Sequence, residues 1–207
     1  MDNKAFFKPS YGLYLVTSSL DSKDSGCIAN TFVQVTSDPQ QVCITLNKNN
    51  YTTSLIEGSC KLNVSVLLEN VDMQVISDFG FRSGKDVDKF KDYNYETDVN
   101  NIKYITDGMA ATFACTVNKM VDVGTHIMFI CNVDDCKVLS EKQVLTYENY
   151  HKLKNGTTPK NAPSYQEETT KHGWRCSVCG YIYEDEELPD DYICPVCKQP
   201  ASVFEKV

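Results

Sequence analysis

The chain has 207 residues, a formal net charge of −8 at pH 7 and an apolar fraction of 42%. This length accommodates one large domain or a domain with a small module, and the negative charge argues against nucleic acid as a partner. No run of about 18 apolar residues is present, and Met1–Ser10 lacks the apolar segment of a signal peptide. We therefore expect a cytoplasmic protein that does not enter a membrane.

The first 70 residues predict short strands that are separated by polar turns. Ser18–Ser25 is polar and predicts a turn, and Pro39 ends the second strand. Asn50 or Thr52 is placed to cap a short helix that ends at Gly58. The predicted strands of this part are Tyr11–Thr17, Gly26–Val35, Val42–Leu46 and Leu62–Leu68.

The next 80 residues add one helix and further strands. Apolar residues recur three and four positions apart in Glu69–Phe79, which predicts a helix. Ala110–Val117 is a predicted strand and Thr125–Leu139 the longest one, while Asn94–Thr106 holds short edge strands and Leu145–Leu153 a short turn or helix. Many short strands with few helices indicate an antiparallel barrel.

A change of composition divides the chain. Residues 154–171 contain Pro159, Pro163, Gly156 and many small polar residues, which is typical of a flexible linker. We expect a barrel domain at residues 1–153, the linker at 154–171 and a small metal module at 172–207. The module carries seven acidic and three basic residues, so its charge favours a basic docking face on another protein.

Two Cys-x-x-Cys pairs predict a metal site in the module. Cys176 with Cys179 and Cys194 with Cys197 supply four sulfurs for a tetrahedral ion. Their spacing suits either zinc or iron, and the alternatives are two disulfides or four buried thiols. An apolar shell favours iron because it keeps water from the sulfurs and tunes the redox potential. The aromatic residues around the cysteines are Trp174, Tyr181, Tyr183, Tyr192 and Phe204.

Six further cysteines lie outside these pairs. In a reducing compartment they are expected to be free thiols, several of them on buried strands. They are Cys27, Cys43, Cys60, Cys115, Cys131 and Cys136.

The large domain has a candidate phosphate site. No Walker sequence and no G-x-G-x-x-G after a strand is present, which argues against a Rossmann dinucleotide site. Lys48–Ser54 combines a lysine with a hydroxyl-rich helix start, and Ser83 and Lys89 follow a glycine loop. Neutral donors with one lysine suit a monophosphate. The alternative is an ordinary capped surface helix.

The module resembles the rubredoxin family. The resemblance rests on C-S-V-C-G-Y-I-Y, L-P-D-D-Y-I-C-P-V-C and the later F-E. It implies one Fe(Cys)4 centre that cycles between Fe(III) and Fe(II). The loop between the cysteine pairs is closer in length to the rubredoxin-like tail of rubrerythrins, and Lys198 stands where the family usually has glycine, which tolerates a positive φ.

The large domain resembles the flavin reductase-like family, especially its high-molecular-weight rubredoxins and flavoredoxins. The motifs are G-C-I-A-N-T-F-V-Q-V-T-S, N-K-N-N-Y-T, F-G-F-R-S-G-K-D-V-D-K-F and V-D-V-G-T-H-I-M-F-I. The resemblance implies an FMN-binding split β-barrel that forms a homodimer with FMN near the interface. It assigns Asn30, Thr31, Phe32 and Gln34 to the flavin ring, Asn47, Lys48, Tyr51, Thr52 and Thr53 to the phosphate end, and Ser83, Lys89 and Phe90 to the closing wall.

His126 is a further candidate. It lies in G-T-H, where flavin reductases often have G-D-H, and there the histidine helps to place flavin or nicotinamide. Thr125 replaces the acid, so no local His–Asp pair is available for direct nicotinamide use. The alternative is a strand histidine that is satisfied by a backbone partner.

The combined resemblance implies electron transfer. FMN exchanges electrons in pairs or singly, whereas an Fe(Cys)4 centre carries one electron. Electrons would pass from FMN to iron and on to a flavodiiron protein that reduces O2 or NO, with a separate NADH-dependent reductase as donor. The linker would let the module swing between FMN and the partner.

Two alternatives to this role stay open. One is an NAD(P)H:flavin or NAD(P)H:rubredoxin oxidoreductase that acts directly, and the other is a flavin-binding protein with a zinc-stapled tail. No residue is assigned as catalytic, since electron transfer needs no acid–base pair. Whether the chain is itself an enzyme is left open.

Overall fold

The computed structural model describes residues 1–2, 5–6, 8–154 and 172–207. In chain order the strands are β1 (Tyr14–Leu20), β2 (Lys23–Ala29), β3 (Val33–Ser37), β4 (Gln40–Asn47), β5 (Lys61–Leu67), β6 (Tyr95–Thr97), β7 (Lys103–Ile105), β8 (Met109–Asp122), β9 (His126–Val138), β10 (Trp174–Cys176), β11 (Ile182–Tyr183) and β12 (Phe204–Lys206). The α-helices of the described residues are α1 (Tyr51–Ser59), α2 (Met73–Phe81) and α3 (Tyr147–Lys154). The predicted linker lies outside the described residues, except for Lys154 at the end of α3.

The strands form three sheets. The main sheet has seven strands in the order β2-β1-β5-β8-β9-β4-β3, and every neighbouring pair is antiparallel. β6 and β7 form a two-stranded sheet, and the module has its own sheet in the order β11-β10-β12. The antiparallel, mainly β architecture predicted from the sequence is confirmed.

The polar segment 18–25 is a hairpin rather than a long turn. Only Asp21 and Ser22, with φ of 51° and 62°, stand between β1 and β2. The strands continue through Ser18 and Ser25 because these buried hydroxyls find partners inside the protein. Ser18 Oγ donates to the Lys61 carbonyl over 2.8 Å, while Ser25 Oγ lies 3.0 Å from the hydroxyl of Thr52.

The segment predicted as one strand, 26–35, is divided into β2 and β3. The break follows Ala29, and Thr31 within it donates from its hydroxyl to the Thr45 carbonyl over 2.8 Å. Its hydroxyl also accepts the Thr45 N–H over 3.3 Å. This side chain replaces the backbone pairing that a continuous strand would make, so the chain turns away at the end of β2.

Both of the predicted helices begin at side-chain caps. Asn50 caps α1, since its side chain accepts the N–H of Thr52 over 2.9 Å. α2 begins after Asp72, which accepts the N–H of Gln74 over 2.9 Å. The predicted start at Glu69 was wrong because the Glu69 N–H donates to the carbonyl of Gln143 instead.

α2 and α3 pack against the main sheet, and two side chains of α2 also contact the module. Leu13, just before β1, and Leu15, in β1, pack with α2 and with Tyr147 and Tyr150 of α3. A second cluster lies between the strands and includes Val16, Ile44 and Phe129. No helix in the described ranges is long and apolar enough to cross a membrane.

Candidate functional site

Four cysteine sulfurs converge in the module. All four residues are buried, and the sulfur atoms lie within 4.8 Å of one another. Cys176 Sγ is 3.5 Å from Cys197 Sγ, and Cys179 Sγ is 3.6 Å from Cys194 Sγ. A tetrahedral ion with metal–sulfur bonds of about 2.3 Å needs sulfurs about 3.8 Å apart. The donor set therefore fits a four-coordinate metal, and both zinc and iron accept it.

Each Cys-x-x-Cys pair forms a tight turn that we call a knuckle. In the first, the Gly180 N–H donates to the Cys176 carbonyl over 2.8 Å, and in the second the Lys198 N–H donates to the Cys194 carbonyl over 3.0 Å. Gly180 has a φ of 78° and Lys198 a φ of 59°. Lys198 thus adopts the left-handed conformation that glycine takes in the family, and its Nζ donates to the Pro195 carbonyl over 3.0 Å.

Close approach of the sulfurs changes their acidity. Hydrogen bonds from the thiols of Cys179, Cys194 and Cys197 lower the pKa of Cys176. The neighbouring sulfurs cannot all carry negative charge without a cation between them. The cluster therefore favours loss of at least one proton and the binding of a positive ion.

Aromatic rings surround the metal site, as the sequence predicted. Phe204 packs edge-on against Tyr181 and Tyr192, with ring centroids 6.4 and 5.5 Å away. The Tyr192 hydroxyl donates to that of Tyr181 over 3.1 Å, and Tyr183 lies 4.5 Å from Tyr192. This shell restricts water around the sulfurs on the side of the module's own sheet.

Two adjoining cavities lie in the large domain. The inner cavity, of about 220 Å³, is bounded by the end of β2, the end of β4 and the facing sides of α2 and α3. The lysine cavity, of about 230 Å³, lies between the start of α1 and the segment after α2. The residues that line both are Asn49, Asn50, Gly80, Phe81 and Val178. The shared walls make one elongated cleft.

The inner cavity is mainly apolar. Leu13, Ile28 and Ile76 form its floor with Tyr147 and Tyr150. Its polar groups are Thr45, the two tyrosines and amide side chains, and the lining formed by the described residues contains no carboxylate and no histidine. Such a wall suits a planar conjugated ring that takes a few hydrogen bonds at its edge.

Lys89 gives the lysine cavity a buried positive charge. Its Nζ donates to the carbonyl oxygens of Asp78 and Phe79 over 2.8 and 3.1 Å. Burial lowers the pKa of Lys89 to about 8, since water is not available to solvate the ammonium. An anion in the cavity would stabilise the charged form of Lys89.

Gly84 keeps this cavity open. A side chain there would collide with Ser25 and approach Tyr51. The residues Ser83, Gly84 and Arg82 all line the lysine cavity next to the first residue of α1. A helix start, an arginine and a buried lysine together match a phosphate group. The cleft therefore combines an apolar part that suits a planar ring with a cationic part that suits a phosphate.

The predicted flavin residues divide into those that line the cleft and those that do not. Asn30 and Asn47 line the inner cavity, and Tyr51, Ser83 and Lys89 line the lysine cavity. The structure places eight others outside these linings. They are Thr31, Phe32, Gln34, Lys48, Thr52, Thr53, Phe90 and His126.

Local contacts explain the placement of several residues outside the cleft. Lys48 pairs with Asp122 over 2.7 Å and so points toward the β8–β9 connection. Phe90 is buried against Phe79 in the core that Leu13 and Leu15 form with α2 and α3, which we call the helix-side core. Thr53 donates to the Asn47 carbonyl over 2.8 Å. The first turn of α1 is thus held by its own hydroxyls.

His126 has a different environment. Its Nδ1 lies 2.7 Å from the hydroxyl of Thr125, rather than against a backbone partner. Its Nε2 is buried and has no hydrogen-bond partner among the described residues. A direct role of His126 with flavin or nicotinamide stays a prediction.

Sequence reasoning missed several lining residues. Ser25 and Cys27 line the lysine cavity from β2. They lie shortly before the assigned Asn30 in the sequence. Tyr147 and Tyr150 line the inner cavity from α3. Their spacing of three residues places both on one helix face, and this was the signal available in the sequence. No local signal identified Val178, which reaches the cleft from the module.

The module contacts the large domain through the cleft. Met73 and Phe81 of α2 pack against both the helix-side core and the core of the module. Val178, between the two cysteines of the first knuckle, forms part of both cavity walls. The four-cysteine site is therefore next to the candidate flavin cleft.

Comparisons with known proteins agree with this two-part structure. A family model described as a flavin reductase like domain matches residues 8–155, and a model described as a rubrerythrin, rubredoxin-like domain matches residues 174–205. The high molecular weight rubredoxin of Moorella thermoacetica is 34% identical, and the alignment covers 100% of both chains. The ferric-chelate reductase (NAD(P)H) of Archaeoglobus fulgidus is 41% identical over 81% of this chain and 99% of its own.

A solved structure supports the fold of the large domain. The NADH:FAD oxidoreductase of Streptomyces globisporus C-1027 superposes with a TM-score of 0.63 over 69% of this chain and 84% of its own, at 20% identity. Together, the family models and the full-length relative account for the flavin reductase-like fold and for the rubredoxin-like module with its four clustered cysteines. The chain belongs to the flavin reductase-like family and, within it, to the high-molecular-weight rubredoxins, in which such a domain is joined to a rubredoxin-like module.

Proposed function

We propose that this chain transfers electrons from FMN in the cleft to an iron ion held by the four cysteines, and from there to a protein partner. The observation that carries the proposal is the position of Val178, which belongs to a metal knuckle and also lines the flavin cleft. A redox centre beside a flavin cavity is the arrangement that electron transfer requires. Bound FMN would supply two-electron chemistry, and bound iron would supply one-electron chemistry.

FMN is the flavin that the lysine cavity favours. Lys89 would hold the phosphate, with Ser83, Tyr51 and the start of α1 as neutral donors. Arg82 of the same lining is already paired with Asp78 over 3.2 Å, so one buried ammonium with neutral donors matches a single phosphate, whereas the second phosphate of FAD would need further donors. Asn30 and Asn47 would orient the ring edge from the inner cavity.

The lining of the inner cavity favours electron transfer over proton chemistry. Among the described residues it contains no carboxylate and no histidine, and burial raises the pKa of Tyr150, so that its phenol stays protonated. Its aliphatic floor would exclude water from the ring. The residues of this chain would thus position and shield the flavin, while Lys89 balances the charge of the phosphate.

Partners follow from charge and from exposed edges. The module is acidic, which favours a basic docking face on the acceptor. A flavodiiron protein is the proposed acceptor and a separate NADH-dependent reductase the proposed donor, both in the cytoplasm.

β3 is an edge strand of the main sheet, and its Val33 and Val35 are 53% and 51% exposed. Such an apolar edge supports a homodimer.

Metal and flavin analysis tests the proposal directly. The protein purified from an iron-supplied host is expected to hold one iron and one FMN per chain. Its oxidised spectrum should combine flavin bands with thiolate-to-Fe(III) bands, and a titrated reductant should bleach both. Stoichiometric zinc that iron cannot replace would indicate a flavoprotein with a structural tail. It would contradict the proposed transfer of electrons from FMN through iron to the partner.

Direct reduction by a nicotinamide is the second candidate function. The observation that favours it is the 41% identity to a ferric-chelate reductase (NAD(P)H). Stopped-flow mixing with NADH separates the two functions. Fast reduction of the flavin without an added reductase would favour the direct enzyme, whereas slow reduction that a reductase accelerates would favour the electron-transfer protein.

A further inference from the structure

The contact between the module and the large domain is apolar and is built from α2 and the first knuckle. Met73 and Phe81 lie at opposite ends of α2, and both pack against the metal-site core of the module. Val178 meets them from the first knuckle and completes the walls of the cleft. The acidic residues 184–187 and 190–191 lie in a different loop, so charge does not oppose this contact.

Tyr150 belongs to the wall of the cleft that faces the module. It is 3% exposed and lines the inner cavity together with Val178. Burial raises the pKa of Tyr150 most, and charge on Cys179 adds to the effect. Its phenol therefore stays protonated and lies within electrostatic reach of a metal ligand. Its burial beside Val178 makes it a fixed part of the cleft wall at the contact with the module.

We propose that Met73, Phe81 and Tyr150 form a docking surface for the chain's own first knuckle. Docking through Val178 positions the four-cysteine centre against the flavin cavity and closes the cleft on that side. The inference rests on the proposed function for its use, while the docking itself is measurable without any redox reaction. It replaces a freely swinging module with one that has a defined docked state.

Docking has a consequence for external donors. The docked knuckle supplies a wall of both cavities, so a nicotinamide that must reach the flavin ring from this side needs the knuckle to move away. The module and a nicotinamide donor would then exclude each other. Loss of docking should slow the reduction of iron by the flavin and should accelerate the reduction of the flavin by NADH.

The test uses one charge on each side of the contact. Val178→Asp places a carboxylate in the apolar contact from the module side. Met73→Glu does so from α2, at a first helical position where an acidic side chain suits the helix. Ile193→Asp is the matched control, because Ile193 also neighbours a cysteine ligand but is 54% exposed.

The first readout needs no redox activity. Trp174 is the one tryptophan of the chain and lies in the module, so its fluorescence anisotropy decay reports how the module tumbles. Zinc is used as the metal because it has no redox chemistry. The unmodified chain and Ile193→Asp should show only the slow tumbling of the whole protein. Val178→Asp and Met73→Glu should gain a fast component. Met73 lines neither cavity, so Met73→Glu should do so with metal content and flavin content unchanged.

The second readout uses the iron- and FMN-loaded chain. Val178→Asp and Met73→Glu should slow iron reduction about tenfold or more, because the docked state would bury an unpaired carboxylate. The same variants should be reduced by NADH faster than the unmodified chain. A fast tumbling component already present in the unmodified protein would overturn the docking.

The two readouts keep the inference and the proposed function apart. Equal iron reduction rates in all variants would overturn the inference and leave the relay intact. Docking by anisotropy without any iron reduction in the unmodified chain would leave the docking surface standing and refute the relay.

Discussion

The ammonium of Lys89 donates a hydrogen bond to the carbonyl oxygen of Phe79 over 3.1 Å, at the C-terminal end of α2. This bond fixes a buried cation beside the start of α1, where it lines the lysine cavity. The carbonyl oxygens of Asp78 and Phe79 accept two of its three hydrogens but do not neutralise its charge. A phosphate would accept a hydrogen bond from the ammonium and would also neutralise its charge.

Removal of the Lys89 charge should weaken FMN binding. Lys89→Gln is expected to raise the Kd about 10- to 100-fold, since a hydrogen bond to a charged group contributes about 1.5–3 kcal/mol. Titration of the flavin-free protein with FMN, followed by quenching of flavin fluorescence, measures the effect. Lys91→Gln is the control because Lys91 is exposed. Riboflavin, which lacks the phosphate, should bind both variants equally; a matching loss for riboflavin would mean that Lys89 acts through the fold.

The affinity for FMN should fall at alkaline pH. The pKa of Lys89 is lowered to about 8 by burial, so the free protein carries the charge below pH 8 and loses it above. Bound phosphate favours the charged form and raises that pKa. The second pKa of the phosphate is about 6, so the Kd should be flat only between about pH 7 and 8. Above pH 8 it should rise by up to about tenfold per pH unit. Lys89→Gln should remove this rise, and a rise that persists in the variant would assign it to another group.

Asn50 should have separable effects on stability and on binding. Asn50→Ala removes the cap of α1 and should cost about 1 kcal/mol in the free energy of unfolding. Asn50→Asp keeps a capping oxygen, so it should retain most of that stability. It also places a negative charge in the walls of both cavities, which should weaken FMN binding. Urea unfolding and FMN titration measure the two effects, and equal destabilisation by both variants would contradict the capping role.

Glycine at position 198 should stabilise the metal module. Lys198 has a φ of 59°, a conformation that costs a residue with a Cβ about 1–2 kcal/mol. Lys198→Gly should recover about 1 kcal/mol of this cost and slow metal release to a chelator. Lys198→Ala keeps the Cβ and loses the same side chain, so it should release metal as fast as the unmodified protein. A similar gain for Ala would attribute the effect to the lysine side chain.

Much of the site followed from local patterns. The sequence identified the four cysteines that cluster in the module, named Asn50 or Thr52 as the cap of α1, and identified five residues that line the cleft. These features depend on contacts within a few residues, such as the 2.8 Å hydrogen bond from Gly180 to Cys176 or the side chain of Asn50 on Thr52. Residues in such short motifs keep the same geometry in any surrounding fold. The hairpin at 18–25 was missed because its serines are polar in composition yet buried by partners far along the chain.

The sequence by itself determined the two parts of the protein. They are a β domain with flavin reductase-like motifs and a small module whose cysteine spacing suits a metal. Only the tertiary structure decided how the two meet. Val178 of the module, Phe81 of α2 and Tyr150 of α3 come together at the cleft although long stretches of chain separate them. The free energy of such a contact comes from the burial of apolar surface, which is non-directional. No local pattern of residues specifies its partner, so the packing of the whole chain selects it.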